Sequence, residues 1–350
     1  MPKHLTQFFT CLCAMTILFA GCASKWSLTV EARQEPLQWR DESNVAKATY
    51  LGSIRGFKET GTTVSGVLKS IVFGTRKTDN TIKRPVAVAI GRDDRVAIAD
   101  LGCACVHLYV PAEQKYRKIF GARAEELRTP VSVAFDDESR LYVSDSTRHA
   151  IYVFDRDGAP LSSIKAAGKD ALQRPTGLSY ASNTKTLYAV DTLAKKVHAF
   201  NTSGDLLFSF GGPGEQQGQF NFPTHIVTSP DGRVYVTDAM NFRVQVFDAS
   251  GKFLSSFGHH GNGSGDFALP KGIAVDNKTG VIYVVDNLFG NIQLFDLAGR
   301  FLFTIGSGGT REGELSLPSG LFLDVRSKLY VCDTYNQRVQ FFEINRGEAQ

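Results

Sequence analysis

The 350-residue sequence holds six cysteines and no stretch of biased composition that would leave it unable to bury a core. It lacks a large excess of either charge, with 39 Lys and Arg against 35 Asp and Glu and a formal net charge of +4. A nucleic-acid binder shows a basic stripe or a much larger excess, so nucleic acid is excluded as a partner. No Gly-x-Ser-x-Gly elbow, Walker loop or dinucleotide fingerprint stands in a strand-to-helix setting. Long helical periodicity is absent beyond the first two dozen residues, which excludes a bundle. In its place are 33 glycines and 25 phenylalanines, the signature of many tight turns and aromatic packing in a sandwich, barrel or propeller.

The first residues read as a targeting signal. Lys3 and His4 precede an apolar run from Leu12 to Ala20 and then Gly21-Cys22. That run is too short for a permanent membrane span. Leu18-Phe19-Ala20-Gly21-Cys22 resembles a bacterial lipobox, with Phe19 where leucine is usual. The resemblance implies a lipoprotein signal peptide over 1–22, with Cys22 acylated as the mature N-terminus and a lipid, not a helix, holding the protein to a membrane. An ordinary cleaved signal is the alternative. Ala23 and Ser24 follow, and the lack of aspartate there resembles lipoproteins sent to an outer membrane, so the expected location is a bacterial cell envelope, facing the periplasm. Residues 23–47 are polar and are expected to form a tether.

Self-similarity is the main signal. Pro85, Pro130, Pro175, Pro223, Pro270 and Pro318 recur at intervals of 45, 45, 48, 47 and 48 residues. About fifteen residues after each stands an aspartate: Asp100, Asp145, Asp191, Asp238, Asp286 and Asp333. The clearest unit runs Phe222-Pro223-Thr224-His225-Ile226-Val227, then Val234-Tyr235-Val236-Thr237-Asp238, then Arg243-Val244-Gln245-Val246-Phe247, then Phe253-Leu254-Ser255-Ser256-Phe257-Gly258. These are four short β-branched or aromatic segments separated by Gly, Asp, Asn or Ser turns. The pattern predicts an all-β fold over residues 48–346: a six-bladed β-propeller of four-stranded antiparallel blades, starting near 85, 130, 175, 223, 270 and 318. Proline begins each inner strand, where no ladder partner is needed. Each aspartate is expected to accept backbone N–H bonds in its turn, a structural role, because a catalyst is not needed in every blade.

Asp238-Ala239-Met240-Asn241-Phe242-Arg243-Val244-Gln245, Asp333-Thr334-Tyr335-Asn336-Gln337-Arg338-Val339-Gln340 and Gly218-Gln219-Phe220-Asn221-Phe222-Pro223 resemble the signature of NHL repeats. The resemblance covers 85–346 and is strongest in the last three units. Arg148, Ala194 and Cys103 depart from it, standing where later units have asparagine. It implies a rigid ring whose loops bind a protein, peptide or glycan.

The sixth unit supplies three strands, so an N-terminal strand must complete it and remove the open sheet edges. In later units glycine lies 12 residues before the proline, and Gly74 lies 11 residues before Pro85. That spacing predicts the closing strand at 68–73, paired near Arg338 to Phe342. Tyr50-Leu51-Gly52-Ser53-Ile54 is the competing candidate.

Ligands of such rings bind at the mouth of the central channel. The inner-strand starts offer Val86, Ser132, Thr176, His225, Lys271 and Ser319, with no carboxylate for a hard cation such as calcium. A zinc site like that of the amidating lyases would need convergent imidazoles, and only His225 qualifies. His107 and His198 stand where other units have Gln245, Gln293 and Gln340, and so read as ordinary polar strand residues. No catalytic residue, metal or cofactor is therefore expected. Arg84, Arg174, His225 and Lys271 are candidates for a cationic rim that binds an anionic ligand. Cys103, Cys105 and Cys332 remain after the signal; a direct Cys103–Cys105 link is expected to be strained, a bridge from Cys332 to either is permitted, and free buried thiols are the default. The reading is thus of a monomeric, lipid-anchored, non-enzymatic scaffold. The alternative is an envelope hydrolase or lyase, lactonase-like or amidating-lyase-like, with its site at the channel mouth.

Overall fold

Hairpins with short turns dictate the local order, and the repeated proline and aspartate meet in it. The computed structural model describes residues 24–60, 79–122, 125–165 and 171–345. The signal peptide, Cys22 and the closing strand expected at 68–73 fall outside these residues. Pro85 pairs with Asp100, Pro130 with Asp145, Pro175 with Asp191, Pro223 with Asp238 and Pro270 with Asp286, so the first two strands of blades one to five are fixed in one register. In blade four the strands are Pro223–Thr228, Val234–Asp238, Arg243–Phe247 and Phe253–Phe257, antiparallel and in sequence order from the inside outward. Blades one, two, three and five repeat this arrangement.

In blades one to four the second strands are buried along their whole length, as in Val234–Asp238, because both faces of each sheet are covered by a neighbouring blade. Outer strands such as Phe253–Phe257 are half-buried at their ends and exposed between, facing solvent. Six apolar clusters result, one between each pair of adjacent blades; between blades four and five Tyr235, Val244 and Val246 meet Ile273, Ile282 and Phe295. Each such side chain contributes roughly 1.5–3 kcal/mol on burial. The ring is therefore held by its wedge-to-wedge contacts.

The last blade is closed by the strand Ala46–Glu59, which pairs antiparallel with Arg338–Ile344 from Ala48 opposite Ile344 to Ile54 opposite Val339. This corrects the expectation of 68–73 and seats the competing segment, Tyr50 to Ile54, against the last strand. Spacing failed as a guide because hairpin geometry fixes the distance between consecutive strands of one chain direction, and no hairpin joins the closing strand to Pro85. Gly52 marks the register shift in this pairing, where a Cβ would sit 2.6 Å from the Glu31 carbonyl oxygen.

The tether expectation for 23–47 is also corrected. Trp26–Glu31 and Leu37–Arg40 both pair with the closing strand, making the last sheet six-stranded. Trp26 packs on Tyr116 at 4.9 Å between ring centroids, and Trp39 lies edge-on to Phe342 at 5.4 Å. Their strand alternation is short and flanked by charged residues, which hid it in the sequence.

Candidate ligand-binding mouth of the channel

Inner strands line a central channel of about 290 Å³ with residues from all six blades. Two residues beyond each blade proline stand Ala87, Ser132, Gly177, His225, Gly272 and Gly320. The glycines are required by close approach: a Cβ on Gly272 would lie 2.3 Å from the Ser319 carbonyl oxygen, and one on Gly177 would lie 2.7 Å from that of Thr224. Cross-blade bonds tie the strands together here, with Leu178 N–H donating to Ser132 Oγ at 3.1 Å. His225 is the one bulky residue of the six.

Its imidazole lines the channel, and its Nδ1 is sealed from solvent without a hydrogen-bond partner among the described residues. Burial, reinforced by the charge of Lys271, lowers the His225 pKa to about 3, so the ring is neutral. Lys271 is itself pushed down, first by burial and then by repulsion from Arg84. His225, Lys271 and Arg84, from blades four, five and one, thus share one electrostatic neighbourhood. Arg84 lies over the Tyr335 ring at 5.6 Å, and Arg174 over the Phe222 ring at 5.8 Å. Among the described residues, no carboxylate forms an ion pair with Arg84, Arg174 or Lys271.

The six blade aspartates sit at the same end, fully buried, and each accepts from at least one backbone N–H, with side chains adding further bonds in blades one, four and six. Asp145 accepts from the N–H groups of Arg128, Thr129, Thr147 and Arg148 at 2.6–3.1 Å. In blade four Asp238 accepts from Asn221 and Phe222 N–H, Asn241 Nδ2 and Arg243 Nε. They hold the turns that shape the mouth.

Sequence reasoning missed two features of this face. Two residues after the aspartate, blades three to six carry Leu193, Met240, Leu288 and Tyr335, which are 48–60% exposed. Together they form an apolar arc beside the cations; the signal was one large apolar side chain at a fixed step after four of the six aspartates. The second is in blade one, where Cys103 and Cys105 are bonded to each other, with Cα atoms 5.2 Å apart, while Cys332 is buried and free. Ala104 between them takes the left-handed conformation, φ 48°, which brings the two cysteines onto one side and makes the link that the sequence reading set aside. His107 and both sulfurs lie within 4.8 Å of one another. Bonded together, the sulfurs offer no thiolate to a metal.

Comparison with known proteins agrees with the architecture. A family model described as a 6-bladed beta-propeller matches residues 222–307. The chain folds as a six-bladed β-propeller. No curated protein matches it in sequence. Among solved structures it is similar to a structural genomics protein of unknown function from Bacteroides thetaiotaomicron, with TM-score 0.58, 16% identity, and 92% of this chain and 90% of that chain covered. An auxiliary nutrient binding protein from Bacteroides thetaiotaomicron superposes with TM-score 0.57 at 13% identity, covering 75% of this chain and 70% of that one. A catalytically inactive histidine-to-alanine variant of virginiamycin B lyase from Staphylococcus aureus, with quinupristin, superposes with TM-score 0.56 at 11% identity, covering 77% and 97%. At these identities the likeness is one of fold.

Proposed function

We propose that this propeller is a non-enzymatic binding scaffold of a bacterial cell envelope, lipid-anchored through Cys22, whose mouth face takes a protein or peptide segment presenting carboxylates beside apolar side chains. The observation that carries this reading is the pairing of unneutralised cations with exposed apolar residues around one channel mouth. Arg84, Arg174 and Lys271 supply charge without a carboxylate partner among the described residues, and Leu193, Met240, Leu288 and Tyr335 supply contact area. Exposed apolar patches rimmed by polar groups mark interaction surfaces. Desolvating Lys271 without an anion costs free energy that a bound carboxylate offsets. The solved nutrient-binding neighbour is consistent with a binding role for the same fold.

A hydrolase or lyase at the mouth is the competing function, favoured by His225 and its unbonded Nδ1. A neutral imidazole can accept a proton, but among the described residues no second acid or nucleophile is bonded to it. Capture from solubilised envelopes, read by mass spectrometry, decides between them. The scaffold reading expects an acidic partner whose retention falls at least tenfold in Arg174→Glu/Lys271→Glu and in Leu193→Ser/Leu288→Ser, while His225→Gln retains it. Equal capture by all variants overturns the reading.

A further inference from the structure

In blade six the buried aspartate is clamped by three side chains at fixed steps after it. Asn336 Nδ2 donates to Asp333 at 2.8 Å, Arg338 Nε at 2.7 Å and Gln340 Nε2 at 2.8 Å. Asn241 and Arg243 make the same first two bonds to Asp238. Blade one has the same turn and the same aspartate, but the three positions hold Cys103, Cys105 and His107. A structural clamp has been exchanged for two sulfurs and an imidazole.

The bridge is not needed to form the turn. The left-handed residue between the two positions recurs without sulfur in the other five blades, as His149, Lys195, Phe242, Gly290 and Gln337, with φ between 53° and 64°. A link that encloses a single residue also removes little entropy from the unfolded chain. Its surroundings are reactive in kind. His107 Nε2 lies 3.9 Å from Cys103 Sγ and 3.8 Å from Cys105 Sγ. The same nitrogen is 3.2 Å from Asp100 Oδ2, and Nδ1 is 2.9 Å from the Tyr116 hydroxyl. The carboxylate can only accept, so Nε2 carries the hydrogen, and Nδ1 accepts from Tyr116. Phe57 stacks on the imidazole at 5.2 Å and shields it. Cys103 is partly exposed and Cys105 is buried, which leaves one sulfur open to attack and the other beside the imidazole.

We propose that Cys103–Cys105 is a redox-active disulfide that exchanges with a dithiol, with His107 as the proton donor and acceptor for Cys105. One thiol of the dithiol passes its proton through the Tyr116 hydroxyl to His107 Nδ1 and, as a thiolate, attacks Cys103 Sγ; the S–S bond breaks, and Cys105 Sγ leaves with the electron pair and takes the Nε2 proton, so the ring ends neutral with its hydrogen on Nδ1. The second thiol of the dithiol gives its proton to restore His107 and, as a thiolate, attacks the mixed disulfide at its own partner sulfur. That releases Cys103, which takes the remaining proton. The dithiol ends oxidised by two electrons and the cysteine pair ends as two thiols; the reverse sequence reoxidises it.

The test is the rate at which native full-length protein is reduced by dithiothreitol, followed by alkylation and mass spectrometry. His107→Gln is the informative variant, since it installs the glutamine that blades four and six already accommodate. Native protein is expected to be reduced without denaturant and reoxidised by oxidised glutathione, and His107→Gln to slow both directions about tenfold or more. The Cys103→Asn/Cys105→Arg variant, which copies blade four, is expected to keep the melting temperature. A bridge that reacts only in denaturant, a pair found unbridged under air, an unchanged rate in His107→Gln, or a collapse of melting temperature in the Asn/Arg variant overturns the proposal.

Discussion

Arg338 Nε donates to Asp333 Oδ2 at 2.7 Å, and both side chains are almost wholly withdrawn from water, within the blade that shuts the ring. Removing one partner of a buried pair leaves the other charge uncompensated. Asp333→Ala is therefore expected to cost about 3–5 kcal/mol, read from urea unfolding. Arg300→Ala, which removes an exposed pair with Asp296, should leave the unfolding midpoint where it is.

Closure by Ala46–Glu59 makes a graded prediction for truncation. Deletion through residue 45 removes two flanking strands and leaves the seal; deletion through residue 60 removes the seal itself and exposes Arg338–Ile344 as a bare edge. The second protein should lose its cooperative thermal transition while the first retains one. Ile54→Ala, a single buried residue of that strand, should cost about 2–5 kcal/mol.

His225 predicts an acid limb in stability. Its folded pKa, about 3, lies below the unfolded value near 6.5, so the unfolded chain binds the proton more readily between those values. Its stabilising contribution is full above pH 6.5 and declines on acidification toward pH 3, by about 1.4 kcal/mol for each unit. Urea titrations of wild type and His225→Gln at pH 7 and pH 5 check this, with a shallower loss expected in the variant. Because His107 is depressed by burial as well, the difference between the two proteins is the quantity to read.

Gly272 N–H bonds the Ser319 carbonyl at 3.0 Å across neighbouring inner strands, where there is no room for a methyl group. Gly272→Ala should force the two blades apart and cost about 1–3 kcal/mol, measured as a fall in melting temperature.

The pairing of Pro223 with Asp238 was legible because a hairpin turns sequence distance into spatial register. The closing strand was not, since Ala48 and Ile344 meet across nearly the full chain and no turn constrains them. Trp26 and Trp39 belonged to strands too short to separate from polar surroundings. At the mouth, the candidates Arg84, His225 and Lys271 were identifiable from their step relative to each proline, whereas their mutual repulsion needed the ring to be closed. Arg174 proved to lie over Phe222, a contact between blades that sequence does not encode locally. The Cys103–Cys105 link was set aside as strained for two cysteines one residue apart; the left-handed turn at Ala104, with the Cα atoms 5.2 Å apart, accommodates it.

A circle fastened by its earliest and latest strands imposes an order on its own making. The segment 46–59 leaves the ribosome before any blade strand, yet its partner in closure is completed only with residue 344. Until then its other edge, the one that Trp26–Glu31 and Leu37–Arg40 do not cover, stays unmatched while five finished wedges accumulate behind it, and contacts spanning so long a stretch of chain form slowly. Maturation of this molecule is thus governed by how long its leading ribbon can be kept from pairing elsewhere.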